Sequence, residues 1–149
     1  MKFTSKEQRI IDKANAIIDS KLNAGEPITN PALAKDIFRT QIAHLEHEVF
    51  LVAFLNNQNQ VLSLEIMFRG TVNASAVYPR EVAKVALAHN AAAVLFAHNH
   101  PGGITRPSQA DERITSMLVE ALGLFDIRVL DHFIYGAGPT FSFMEAGLL

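Results

Sequence analysis

Two histidines one residue apart open the chemistry of this chain: His98 and His100, in "FAHNHPGGITRPSQAD". On an extended strand every second side chain shares a face, so the two imidazoles project together and Asn99 projects away. Seven residues separate His100 from Ser108, and Asp111 comes three positions further on. Ser108-x-x-Asp111 after Pro107 is also capping-box spacing, with the side chains satisfying the first amides of a helix. Taken alone, that plainer assignment suffices. Pro101, Gly102 and Gly103 change the balance, because they let the chain turn sharply and bring the new helix back beside the strand end. Asp111, one turn into that helix, can then face both imidazoles. Two His and one carboxylate around an open fourth position form a catalytic zinc pattern. Ligation also offsets the cost of leaving two polar rings poorly paired in a half-buried cleft.

Other His-x-His chemistries fit less well. A metallo-β-lactamase-like site wants Asp-His soon after the pair, where this chain has Pro101-Gly102-Gly103. An amidohydrolase barrel needs roughly 250 residues, and this chain has 149.

The elements that must position these residues follow from periodicity. Thr4-x-x-Glu7 has capping-box form, and Ile10, Ile11, Ala14, Ile17 and Ile18 follow at helical spacing to about Leu22. Asn30-Pro31 predicts a second helix start, with Leu33, Ile37, Phe38 and Ile42 on one face. "EVFLVAFL" from Glu48 has the near-continuous apolar texture of a buried strand. "NNQNQ" is a turn cluster and "VLSLEIMF" the returning strand of a hairpin. Pro79 begins a helix with Val82, Val85, Ala86 and Ala83 or His89 toward a core. "AAVLFAHNH" is the next strand. "SQADERITSMLVEALGLF" is an amphipathic helix with Ile114, Met117, Leu118, Ala121 and Leu122 on its stripe. "DIRVLDHFIYG" and "TFSFM" are further strands. The order αα-ββ-α-β-α-β-β predicts an α/β (α+β) fold, a mixed β-sheet flanked by helices. No Gly- or Ser-rich linker divides the chain, so residues 1–149 are expected to form a single domain, with 1–44 a helical extension packed on it.

Composition sets outer limits. The chain is 49% hydrophobic and 19% charged, as expected of a globular protein. Thirteen basic and fifteen acidic residues leave a net charge of −2, with a pI near 6.3; that is not the strongly basic footprint of a duplex-binding protein. There is no cysteine, which excludes disulfides and thiolate zinc sites. The N-terminal "MKFTSKEQRIIDKAN" is charged and amphipathic rather than a signal peptide, and the longest apolar run, Ala91 to Ala97, is too short to cross a bilayer. A cytoplasmic protein with no membrane partner is the expectation. Oligomeric state is not legible, although "IMF" and the terminal "AGLL" offer apolar surface.

The combined spacing His98-x-His100, Ser108, Asp111 resembles the JAMM motif of the MPN-domain metallopeptidases. Within that superfamily the chain is similar to the RadC family, through "FRGTVNASAVYPREV" (68–82), "HNAAAVLFAHNHPGG" (89–103) and "VLDHFI" (129–134). The resemblance runs from about Leu45 to the C-terminus, and more loosely over the two preceding helices. It implies an MPN/JAB-like fold with cytidine-deaminase-like layering. Asn99 stands where the deubiquitinating branch has Ser or Thr, and Asn is usual in the RadC branch. Gly103 stands where RadC-like sequences often have Ser. The helix-hairpin-helix DNA-binding segment found ahead of the domain in longer RadC proteins has no match here.

The family chemistry implies one Zn²⁺ held by His98, His100 and Asp111, with its bound water acidified toward ~7 and the scissile carbonyl polarised. It also needs an upstream glutamate as general base. Glu48 lies fifty residues before His98 and fits the family's arrangement. Glu65, on the returning strand, is the second choice. Glu46 shares the parity of Glu48, and Glu81 is explained by the helix dipole alone. Ser108 would donate to the developing oxyanion or to the water. Asp131 and His132 are candidates for a layer behind the imidazoles, although a polar pair at a strand end is the preferred assignment. The function implied is zinc-dependent hydrolysis of an amide or isopeptide bond in a peptide substrate of unknown identity. A DNA-repair-associated or nucleic-acid-associated protein, and a non-catalytic MPN-like scaffold, are the alternatives.

Overall fold

The structure, a computed structural model, describes residues 3–23, 25–70 and 77–149. Its elements run α1 (Ser5–Asn23), α2 (Pro31–Ile42), β1 (Val49–Leu55), β2 (Val61–Arg69), α3 (Pro79–Ala88), β3 (Ala93–Asn99), α4 (Gln109–Gly123), β4 (Arg128–Tyr135) and β5 (Phe141–Ser142). This is the predicted order. Residues 71–76 of the "FRGTVNASAVYPREV" block lie outside the described residues.

Local chemistry accounts for the helix starts. Thr4 and Glu7 form the expected reciprocal cap: the Thr4 amide donates to Glu7 Oε2 at 2.7 Å and the Glu7 amide to Thr4 Oγ1 at 3.3 Å. Asn30 Oδ1 accepts the Leu33 amide at 2.8 Å, with Pro31 at the first helical position. In the hairpin turn, Asn56 Oδ1 accepts the amides of Gln58 and Gln60, and Asn59 takes a positive φ of 58°.

The five strands form one mixed sheet in the order β2-β1-β3-β4-β5. Among the described residues β3 and β4 run parallel, and the other neighbouring pairs are antiparallel. Alternation divides the core into two layers. Leu51, Ala53, Leu55, Leu95, Ala97 and Phe133 pack with α2 and the end of α1 on one face. Phe50, Val52, Phe54, Val94 and Phe96 pack with α3 and α4 on the other. β1 and β3 are buried along their whole length, because they lie inside the sheet with helices over both faces.

Several side chains expected in the core are outside it. Ile10 and Ile17 are 62% and 55% exposed, and Met117 is 48% exposed. α1 packs mainly against α2 and the edge strand β2, and its buried stripe is narrow: Ile11, Ala14 and Ile18 are half-buried and Leu22 is buried. On α4 the buried stripe includes Asp111 and Thr115 together with Ile114, Leu118 and Leu122, and Met117 lies beyond its edge. Leu33 is also exposed. The predicted "TFSFM" strand is only two residues long. After Ser142 the chain turns, with the Met144 amide held by Asp131 Oδ1 at 3.0 Å. No helix among the described residues is long and apolar enough to cross a membrane.

Candidate metal centre

His98 lies near the end of β3, paired opposite Phe50 of β1 and Ile134 of β4. His100 lies just past the strand, but its amide donates to the Tyr135 carbonyl at 2.7 Å. The extended path therefore continues one residue further, and both rings share a face, 4.7 Å apart between centroids. Asn99 points to the opposite face, as the strand period requires.

The turn that follows brings α4 back. The Gly103 amide donates to the His100 carbonyl at 2.9 Å, and the Ala137 amide donates to the Gly103 carbonyl at 3.0 Å. Gly103 has φ +92°, a backbone conformation that suits glycine. Gly136 permits the approach on the other side: a Cβ there would stand 2.6 Å from the Gly103 carbonyl oxygen. The loop so held points the Ile104 carbonyl at His100 Nδ1, 2.6 Å away. A carbonyl only accepts, so Nδ1 of His100 carries the proton and Nε2 faces the site.

The cap considered for Ser108 and Asp111 is present, and it leaves Asp111 beside both imidazoles. The capping box is complete: the Ser108 amide and hydroxyl donate to Asp111 Oδ2 at 2.7 and 2.6 Å, and the Asp111 amide donates to Ser108 Oγ at 3.2 Å. The cap orients the carboxylate toward the rings. Asp111 Oδ1 lies 3.2 Å from His98 Nε2, and Oδ2 lies 3.5 Å from His100 Nε2. One ligand atom from each of the three lies within 4.8 Å of the others. Burial alone would raise the Asp111 carboxyl. The His100 and His98 imidazoles and the Ser108 hydroxyl outweigh it and hold the group well below the ordinary carboxylate range. In return Asp111 raises His100 above its usual value against the pull of burial, helped by the Ile104 carbonyl.

The upstream glutamates separate. Glu48 Oε1 is 3.8 Å from His100 Nε2. It lines an open cleft of about 420 Å³ with His100, Ser108, Asp111 and Ile104. Glu65 is engaged elsewhere: Ser63 Oγ donates to it at 2.7 Å, and His89 Nε2 lies 3.0 Å away. Glu81 pairs with Lys84 at 3.1 Å on α3, and Glu46 is exposed in the turn after α2. A larger hollow of about 480 Å³, between α1 and β2, is lined by Asp19, Asn23, Gln41 and Ser63 among apolar side chains. It does not include the histidine pair.

Asp131 and His132 also separate. Asp131 is structural: it accepts from Ser142 Oγ at 2.6 Å, from the Met144 amide, and from the His132 amide at 2.7 Å. His132 does not behave as a strand-end polar residue. It is fully buried, and its Nε2 lies 2.8 Å from His98 Nδ1. Burial holds its imidazole well below the usual histidine value, and charge on His98 pushes the same way. Behind it stands Thr115, a residue not singled out by sequence reasoning. Its signal was a polar residue on the buried stripe of α4, four positions after Asp111.

These donors suit a divalent cation. His98 Nε2 and His100 Nε2 stand 2.9 Å apart beside a carboxylate. Facing nitrogens with one lone pair each repel unless a proton or a cation lies between them. Two imidazoles and one carboxylate beside a cleft could hold a metal ion.

A family model described as a RadC-like JAB domain matches residues 28–148. The chain belongs to the RadC family. Its match takes in α2 as well as the sheet, so the family's extent begins well before Leu45. Among its RadC-family relatives, the chain is 51% identical over 142 residues to the UPF0758 protein of Cellvibrio japonicus, covering 95% of this chain and 63% of that protein. It is 49% identical over 142 residues to the UPF0758 protein of Thiobacillus denitrificans, with the same coverage. It is 48% identical over 140 residues to a UPF0758 protein of Vibrio vulnificus, covering 94% and 62%. The chain thus spans less than two thirds of the length of these RadC relatives. Its mixed five-stranded sheet with four helices is consistent with a JAB/MPN-like fold.

Proposed function

We propose that this RadC-family domain is a metal-dependent hydrolase of amide or isopeptide bonds in a peptide substrate. One zinc ion would be held by His98, His100 and Asp111. The observation that carries the reading is the convergence of these three ligands within 4.8 Å, with Glu48 at the cleft side, 3.8 Å from His100. A zinc ion bound there supplies Lewis-acid chemistry, acidifying a water and polarising a carbonyl.

The chain's own residues supply the rest. Glu48 accepts the proton of the attacking water and returns it to the leaving amine. Its place beside His100, together with the engagement of Glu65 by Ser63 and His89, supports Glu48 as the base. The Ser108 hydroxyl lines the cleft and turns to donate to the developing oxyanion, while the Ser108 amide keeps Asp111 oriented. Ile104, 73% exposed at the rim, offers apolar surface to a substrate chain.

The test is zinc content after loading and dialysis, paired with hydrolysis of peptide and isopeptide libraries. Wild-type protein should hold stoichiometric zinc and show turnover. Glu48→Gln should keep the zinc and lose turnover, and Asp111→Ala should lose both. Wild-type protein that takes up no zinc, or an Asp111→Ala variant that keeps it, overturns the reading. Zinc bound without turnover on any substrate would favour a scaffold.

A further inference from the structure

Behind His98, away from the cleft, a run of buried polar groups has a fixed direction. Thr115 Oγ1 lies 2.6 Å from the main-chain carbonyl oxygen of Asp111 and 2.7 Å from His132 Nδ1. His132 Nε2 in turn lies 2.8 Å from His98 Nδ1. Thr115, His132 and His98 are all at most 1% exposed. The rings of Phe50, Phe96 and Phe143 close around His132, with Phe143 stacked on it at 4.7 Å.

The carbonyl at the end of the chain decides the rest. It can only accept, so the single hydroxyl hydrogen of Thr115 is directed to it. The Thr115 oxygen then meets His132 with a lone pair, which requires the proton of His132 on Nδ1. His132 Nε2 is left as an acceptor, and the group facing it, His98 Nδ1, must donate. A His132 with protons on both nitrogens would place an unpaired ion in an apolar enclosure, which burial disfavours. In a neutral His98 the remaining nitrogen, Nε2, then carries the lone pair, and it is the one that faces His100 Nε2 at 2.9 Å and Asp111 Oδ1 at 3.2 Å.

We propose that Thr115 and His132 are positioning residues that lock His98 in the Nδ1–H tautomer, so that its Nε2 is presented to a divalent cation. The chain starts at the backbone of one proposed ligand, Asp111, and ends on the ring of another, His98. The i, i+4 spacing of Asp111 and Thr115 puts both on one face of α4, and the parallel pairing of β3 with β4 puts His132 beside His98. His100 needs no such chain, because the Ile104 carbonyl does the same work directly. The cation part of this inference rests on the proposed function; the tautomer part does not.

Two measurements test it. In metal-free wild-type protein, long-range ¹H–¹⁵N correlation spectra of the histidine rings should show the proton on Nδ1 in both His98 and His132. An Nδ1 that lacks its proton in either ring overturns the inference, whether or not the protein binds zinc. Zinc affinity, read by competition with a chromophoric chelator, is the second measurement. Thr115→Val keeps the shape and removes the hydroxyl; its affinity should fall by about 10- to 100-fold, with His132 and His98 no longer held to one tautomer. Thr115→Ser should restore both. A Thr115→Val protein with wild-type affinity and wild-type tautomers overturns the inference. If Thr115→Val does not fold, the wild-type spectra still decide. Failure of wild-type protein to bind zinc would sink the proposed function and leave the tautomer result standing.

Discussion

Asn99 Oδ1 accepts the Val49 amide at 2.8 Å, across fifty residues of sequence. Its Nδ2 donates to the carbonyls of Leu45 and His47 at 3.2 and 3.0 Å. The residue between the two histidines thus holds the segment on either side of Glu48. One strand end positions the proposed ligands on one face of the sheet and the proposed base from the other. Only an amide serves here, since the site needs one acceptor and two donors on a single planar group.

Asn99→Asp tests that requirement with almost no change of shape. It keeps the acceptor but turns an oxygen toward two carbonyls. The expected loss is about 2–4 kcal/mol of unfolding free energy, from unpaired buried groups and a poorly paired charge. Denaturant titration measures it. A loss under ~0.5 kcal/mol would show that Asn99 does not hold this segment.

Gly136 and Gly138 give a matched pair. A Cβ at Gly136 meets backbone, 2.6 Å from the Gly103 oxygen, whereas one at Gly138 finds only Thr105 Oγ1 at 3.9 Å. Gly136→Ala should cost about 1–3 kcal/mol and weaken zinc binding, because the displaced loop carries the Ile104 carbonyl that orients His100. Gly138→Ala should be close to neutral in both. Equal effects of the two substitutions would count against the close approach.

The Glu65 cluster predicts a pH dependence. The Ser63 hydroxyl, then His89, hold the Glu65 carboxyl below its ordinary value against slight burial. A carboxyl lowered by folding stabilises the protein above its unfolded value of ~4.3, and that contribution disappears as pH falls through the depressed folded value. Ser63→Ala should therefore cost a few tenths to ~1 kcal/mol near neutral pH, kept small by solvent screening. The difference from wild type should shrink in acid below ~4.3. A difference that grows in acid would reverse the sign. Glu65→Gln should leave hydrolysis intact, unlike Glu48→Gln.

Zinc should stabilise the folded chain. At a free concentration 100 times the dissociation constant the gain is ~2.7 kcal/mol, or about 5–10 °C in Tm for a domain of this size. Chelator should reverse the shift, and Asp111→Ala should abolish it. An unchanged wild-type Tm at saturating zinc would argue that no ion binds the native state in preference.

Much of this was legible in sequence because it is local. The helix caps at Thr4, Asn30 and Ser108 depend on residues three apart. The shared face of His98 and His100 depends only on the strand period. The Pro-Gly-Gly break announces the return of α4, so the set His98, His100 and Asp111 can be read from one short stretch. The exposure of Ile10, Ile17 and Met117 could not be read that way. Periodicity marks an apolar stripe, but how wide a stripe is covered depends on what packs across it.

Sequence alone determined the family, the order of elements and the three side chains proposed to hold a cation, since each is written in neighbouring residues. The tertiary structure decided which glutamate stands beside His100, that His132 faces the site while Asp131 faces the C-terminal turn, and that Thr115 and Asn99 act from behind. Those relationships join residues on different elements across the sheet. Strand order, parallel pairing and register create them.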